Sequence, residues 1–105
     1  MEVRIFDGNI KTSEAQHDYI MAKVGTAAGR LKDAPCMIDV RLTDVNGPKG
    51  GIDKRCSIDT TLPGRRSVSV EEHAADYYAA IDAAAVAIKR LLAKSLEKVK
   101  INGPR

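Results

Sequence analysis

Three basic side chains near the end of the sequence are spaced to contact a chain of phosphates. Arg90, Lys94 and Lys98 recur every four residues. Because a helix rises about 1.5 Å per residue, these cations would stand about 6 Å apart along one helix flank, close to the step of a sugar-phosphate backbone. The spacing therefore indicates phosphate contacts, although an ordinary solvated helix face has the same pattern.

The positive charge of the chain is concentrated in this segment. Residues 89–105 carry six basic side chains against one acidic one, and the other 88 residues carry 11 basic and 13 acidic ones, within a net charge of +3. A charge distribution as uneven as this makes a strong local field that attracts polyanions. Charge alone leaves two interpretations open, namely nucleic-acid binding and a solvated surface.

Apolar periodicity predicts the elements that position these cations. Val3 and Ile5 alternate with Arg4 in a short first strand. Ser13 and Gln16 have the spacing of a capping box, which begins a helix that ends at the segment 33–35. The apolar positions of this helix are Ile20, Val24, Ala27 and Leu31.

Strict alternation predicts three further strands before a long final helix. The inward positions of the strands are Ile38, Val40 and Leu42, then Cys56, Ile58 and Leu62, then Val68 and Val70. The final helix runs from Asp76 to about Lys100, and its buried positions are Tyr78, Ile81, Ala85, Ile88, Leu92 and Val99. The predicted fold is α+β, with the order β-α-β-β-β-α.

The alternation also predicts how the layers are arranged. A four-stranded sheet with one polar face leaves that face open to water, so both helices must pack side by side on the other face. On the first helix, Lys23 and Arg30 are seven residues apart and share a flank. We expect this flank to face the row of cations on the final helix, so that a basic groove lies between the two helices.

Length and composition bound the class of protein. We expect one domain over residues 1–105, with no membrane span because no apolar run approaches 18 residues, and a cytoplasmic location because the start does not resemble a signal peptide. The hairpin pattern keeps Cys36 and Cys56 apart, which favours two reduced structural thiols. With no Trp and four aromatic residues, the composition argues against platforms that stack single-stranded bases.

Other chemistry has weaker signals. The loop 47–51, Gly-Pro-Lys-Gly-Gly, lacks the ending of a phosphate-binding P-loop and favours a flexible hairpin. His17 and His73 have no nucleophile and acid at a recognisable spacing. Three carboxylates, Glu71, Glu72 and Asp76, could form a metal cluster. Their position favours the start of a helix instead, with Asp76 as its N-cap. We therefore expect no enzyme, cofactor, metal site or small-molecule substrate.

The final helix carries a family resemblance. The segment 75–82, Ala-Asp-Tyr-Tyr-Ala-Ala-Ile-Asp, followed by Arg90, Leu92 and Lys94, resembles the signature of the ribosome hibernation-promoting factor and ribosome-associated inhibitor A family. The start of the first helix, Ser13-Glu14-Ala15, is similar to that family too. The resemblance implies a fold similar to a double-stranded RNA-binding domain with an added first strand. It also implies a short, divergent member without the dimerising tail of the long members.

The same resemblance implies a partner and a site. The partner would be the small ribosomal subunit, where the protein would bind rRNA in the decoding region and hold ribosomes idle during stress. By position, the resemblance implies that Lys23, Arg90, Lys94 and Lys98 bind RNA. To these we add Arg30, which shares the flank of Lys23, and the hairpin cations Lys49, Lys54 and Arg55. Ala87 stands where members typically carry lysine, which implies more salt-sensitive binding. The alternative is a non-ribosomal regulator that docks a protein partner on its exposed sheet face.

Overall fold

The computed structural model describes residues 1–34, 36–45, 53–62 and 66–101, with side chains up to Ser95. It contains four strands and two helices: β1 (Glu2–Asp7), α1 (Glu14–Ala27), β2 (Met37–Asp44), β3 (Lys54–Thr61), β4 (Ser67–Ala74) and α2 (Tyr77–Ile101). The predicted order β-α-β-β-β-α is confirmed. No helix in this part of the chain is long and apolar enough to cross a membrane.

The strands form one mixed sheet in the order β1-β2-β3-β4. β1 runs parallel to β2, and the other neighbours are antiparallel. The parallel pair needs a crossover connection, which α1 supplies. Ile5, Val40, Ile58 and Val70 are register partners in one apolar row across the whole sheet.

Both helices cover this apolar face, as predicted from the alternation. The core contains Ile20 and Val24 of α1, together with the inward residues of β2 and β3. From α2 it contains Ala80, Ile81, Ala84, Ile88 and Leu92. The prediction was wrong for Tyr78, which is 39% exposed, because the neighbouring Tyr77 is the one that packs against the core. Val99 lies outside the described side chains.

The start of α1 was predicted correctly and its end was not. Gln16 donates its backbone N–H to the Ser13 hydroxyl, and its side chain accepts from the Ser13 N–H, which completes the capping box. The α-helix ends at Ala27, however, and Arg30 lies in a short 3-10 turn over residues 29–31. Gly29 follows this end and favours it, because glycine is a poor helix former. Arg30 therefore does not continue the flank of Lys23.

The hairpin register places the two cysteines far apart. Cys56 pairs with Leu42, and Cys36 precedes the pair Met37 and Thr61. Both thiols are free and buried. Because they occupy opposite ends of the β2–β3 ladder, they are too far apart to form a disulfide with each other, as the hairpin pattern predicted.

The connection between β1 and α1 is fixed to the end of β2. The Asn9 side-chain amide donates to the Asp44 carbonyl oxygen at 2.7 Å, and the Asp44 N–H donates to Asn9 Oδ1 at 2.9 Å. Beside them, a Cβ atom on Gly8 would overlap the Leu42 carbonyl oxygen. Glycine is required there because two backbones approach closely.

Candidate nucleic-acid interface

A groove of about 480 Å³ lies between α1 and α2 on the side away from the sheet. Its walls are mostly small side chains, with one lysine from each helix: Ala22, Lys23, Thr26 and Ala27 from α1, and Ala85, Val86 and Lys89 from α2. Small residues allow a large ligand to approach the helix backbones, while the two ammonium groups attract negative charge. The groove therefore suits the backbone of a polyanion.

The two helices are also joined by a tyrosine and an aspartate, each about one turn before the groove lining on its helix. The Tyr19 hydroxyl donates a 2.6 Å hydrogen bond to Asp82, and the Tyr19 and Tyr78 rings meet edge to face with centroids 4.9 Å apart. The hydrogen bond to Asp82 raises the pKa of Tyr19 above its ordinary value of 10.0. The tyrosine therefore stays a neutral donor throughout the physiological range.

Lys23 is held at the same joint. Its ammonium lies 3.7 Å from Asp82 Oδ1 and 5.5 Å from the centre of the Tyr19 ring. Its side chain is nonetheless 48% exposed, so both contacts are weak and leave it free to turn to a ligand. Of the predicted helix cations whose side chains the structure describes, Lys23 is the one in the groove lining.

Lys89 is the groove residue that sequence reasoning missed. It lies seven residues after Asp82, which is two helical turns along the same side of α2. Since Asp82 faces α1 through Tyr19, the spacing of seven identifies Lys89 as facing α1 too. Lys89 makes no hydrogen bond or ion pair with the other described residues, so its charge is not compensated.

Arg90 and Lys94 lie beside the groove rather than in it. Each residue of a helix turns by about 100°, so Arg90 points to a different side of α2 from Lys89. Both Arg90 and Lys94 are exposed and outside the groove lining. Neither makes an ion pair with another described residue, so both extend the positive surface of α2 away from α1. The side chain of Lys98 lies outside the described part.

The hairpin cations are arranged differently. Lys54 donates to Asp44 at 3.1 Å and to the buried Asp53 at 3.2 Å, and it lies 5.7 Å from the centre of the Tyr77 ring. The hydrogen bond to Asp44 raises the pKa of Lys54. Lys54 is thus only 21% exposed and serves an internal network. Lys49 lies outside the described residues.

Arg55 faces away from the helices. It follows Lys54 on the strand and points to the open side of the sheet, where it lies 3.3 Å from Glu71. The structure therefore brings Lys23 and Lys89 together in one groove lining, while Arg30, Lys54, Arg55, Arg90 and Lys94 lie outside that lining.

Comparisons with known proteins agree with this fold. The model of the family described as sigma 54 modulation protein / S30EA ribosomal protein matches residues 3–100. The crystal structure of the Protein Y N-terminal domain from Thermus thermophilus is 32% identical, with a TM-score of 0.62, and the match covers 86% of this chain and 94% of that one.

A second solved structure shares the fold. It is a ribosomal subunit interface protein from Coxiella burnetii, 15% identical, with a TM-score of 0.66 over 92% of this chain and 99% of that one. No curated protein sequence matches the chain. The family model spans nearly the whole sequence, so the chain belongs to the sigma 54 modulation protein / S30EA ribosomal protein family.

Proposed function

We propose that this protein is a ribosome hibernation factor that binds rRNA in the decoding region of the small subunit. Bound there, it occludes mRNA and tRNA and holds ribosomes idle in the cytoplasm during stress. Membership of a family of ribosome-associated proteins supports the partner. No step of this function requires catalysis, because the protein acts by occupying space.

The main support for the site is that Lys23 of α1 and Lys89 of α2 line the same groove. Two ammonium groups from different helices, above a lining of alanine, threonine and valine, form a channel with a positive rim. Arg90 and Lys94 add positive charge on the side of α2 next to the groove. Contacts of this kind read phosphate positions and RNA shape rather than base sequence.

The test is co-sedimentation with 30S subunits as the salt concentration rises. Lys23→Glu combined with Lys89→Glu reverses the charge of the groove while leaving the buried core intact. We expect this variant to lose ribosome association at a salt concentration where the wild type pellets with the subunits. Its circular dichroism and melting temperature show whether the fold is preserved.

A matched control changes the same net charge elsewhere. Lys11 and Lys32 are exposed and lie outside the groove lining. Lys11→Glu combined with Lys32→Glu should leave most of the association in place. If both double variants lose association equally, binding depends on net charge alone and the groove is not the site.

A further inference from the structure

We infer that the open face of the sheet binds one unpaired guanine of a single-stranded RNA, stacked on Arg41 where that side chain lies against Phe6. This site lies on the opposite side of the sheet from the helix groove and does not depend on the function proposed for the groove. A protein with both sites would contact RNA from two sides.

Phe6 is an exposed aromatic residue between two arginines. Its side chain is 37% exposed on the open face. The guanidinium carbons of Arg4 and Arg41 lie 5.4 Å and 5.5 Å from the ring centre, within cation-π range. Arg4 lies two residues before Phe6 on β1, so both side chains point to the same face. Arg41 is the register partner of Phe6 on β2. The sheet therefore fixes all three side chains in one cluster.

The two arginines differ in their hydrogen bonds. Arg4 is held by two hydrogen bonds to the Asp39 carboxylate, at 2.7 Å and 2.9 Å. Arg41 makes no hydrogen bond or ion pair with another described residue. Its guanidinium is supported on one side by Phe6 and keeps its N–H donors for a ligand. A supported guanidinium plane is a stacking surface that RNA-binding proteins use for unpaired bases. It needs only one aromatic residue, so the low aromatic content does not exclude it.

A small cleft beside Arg41 supplies hydrogen-bond acceptors. The cleft measures about 180 Å³ and is lined by Phe6, Asp39, Val40, Arg41, Ser57 and Asp59. Pockets that enclose whole small molecules measure about 300–1,000 Å³, so this cleft takes one ring rather than a cofactor. The Asp59 carboxylate accepts one hydrogen bond from Ser69, at 2.6 Å, which leaves acceptor capacity for a ligand.

Acceptors in this cleft favour guanine among the bases. Guanine presents two neighbouring donors, its ring N–H and its amino group, to a single carboxylate. Uracil presents a single N–H, and the carbonyl oxygens on either side of it repel a carboxylate. Asp59 therefore selects a guanine whose ring lies on Arg41, and the hydroxyl of Ser57 adds a further polar contact.

The charge of the cleft distinguishes this site from the helix groove. Arg4 and Asp39 neutralise each other, and Arg41 and Asp59 carry opposite charges across the cleft. An acidic peptide would gain little from a neutral site, whereas a stacked base with donor groups does not need net positive charge. Binding of guanine here should therefore depend weakly on salt, unlike binding to the groove.

The test measures binding of two fluorescent pentaribonucleotides, UUGUU and UUUUU, by anisotropy at high salt, where phosphate contacts are screened. We expect UUGUU to bind about tenfold more tightly. Arg41→Gln should abolish the difference, and so should Arg41→Lys, which keeps the charge but removes the planar group. Asp59→Asn should reduce the preference for guanine. Arg66→Gln, an exposed arginine elsewhere, is the matched control and should change nothing.

Equal affinity for the two pentamers overturns the inference, as does a guanine preference that survives both Arg41 variants in folded protein. Full competition of UUGUU by a pentaglutamate peptide at equal concentration assigns the surface to an acidic protein partner instead. Thermal melting of each variant shows whether its fold is intact, so that a loss of binding is attributed to the site.

Discussion

Tyr19 and Asp82 join the two helices through a 2.6 Å hydrogen bond between residues 63 positions apart in sequence. The same carboxylate lies 3.7 Å from Lys23, so the joint also determines where a groove cation stands. The packing of α1 against α2 thus combines this polar contact with a buried apolar core that includes Ile20 and Ile81.

Tyr19→Phe removes the hydroxyl and keeps the ring. We expect a melting temperature lower by a few degrees, because Asp82 loses a hydrogen-bond donor while the contact with the Tyr78 ring remains. Tyr78→Phe is the matched control, since the Tyr78 hydroxyl makes no hydrogen bond with a described residue. Differential scanning calorimetry of the two variants checks the prediction, and equal shifts in both would contradict it.

Local sequence patterns predicted the elements and their buried faces. Two examples are the alternation of Ile38, Val40 and Leu42 and the capping box at Ser13. Each pattern depends only on residues two to four positions apart, so the strand and the helix start can be predicted from the sequence alone. The end of α1 was less certain because Gly29 only weakens a helix. Whether it ends there depends on packing with the rest of the molecule.

The groove depended on contacts that local patterns do not contain. Residues four positions apart share one side of a helix, and every side of α2 has such residues. The spacing therefore cannot show whether the side with Arg90 and Lys94 or the side with Lys89 faces α1. Contacts between the helices, such as the one between Tyr19 and Asp82, are needed to show which side of α2 faces α1. The role of Lys54 could not be predicted from local patterns either, because the hairpin register determines which residues it contacts.

The buried thiol of Cys56 should make stability fall at alkaline pH. Burial raises the pKa of Cys56 from 9.0 to about 12. Above pH 9 the unfolded chain releases this proton and the folded chain keeps it, so the stabilisation present below pH 9 is lost as the pH rises toward 12. We expect the free energy of unfolding to fall by about 1.4 kcal/mol between pH 8 and pH 10 from this thiol alone.

Urea unfolding of the wild type and of Cys56→Ala at pH 8, 9 and 10 isolates this effect. The variant should be less stable at every pH because it leaves a small cavity, but its stability should fall less steeply with pH. The raised pKa values of Tyr19 and Tyr77 affect both proteins alike and cancel in the comparison. Parallel pH dependences in the two proteins would show that Cys56 does not contribute.

Asn9→Ala should loosen the connection between β1 and α1. The variant loses both hydrogen bonds to the Asp44 backbone, and we expect the free energy of unfolding to fall by about 1 kcal/mol. Amide exchange at Asp44 should accelerate, because its N–H loses its acceptor. Lys11→Ala, in the same connection, is the control and should change stability little. Unchanged exchange at Asp44 in Asn9→Ala would mean that this side chain does not secure the end of β2.

Salt dependence measures how many phosphates the groove cations contact, and how many the cations beside the groove contact. Each phosphate contact contributes about 0.7 to 0.9 to the slope of log affinity against log salt. Lys23→Gln combined with Lys89→Gln should therefore lower the slope for 30S binding by about 1.4 to 1.8. Arg90→Gln combined with Lys94→Gln should lower it by a similar amount if the RNA continues along the exposed side of α2. Lys11→Gln combined with Lys32→Gln should leave the slope unchanged. A slope that changes only for Arg90 and Lys94 would move the site from the groove to the outer side of α2.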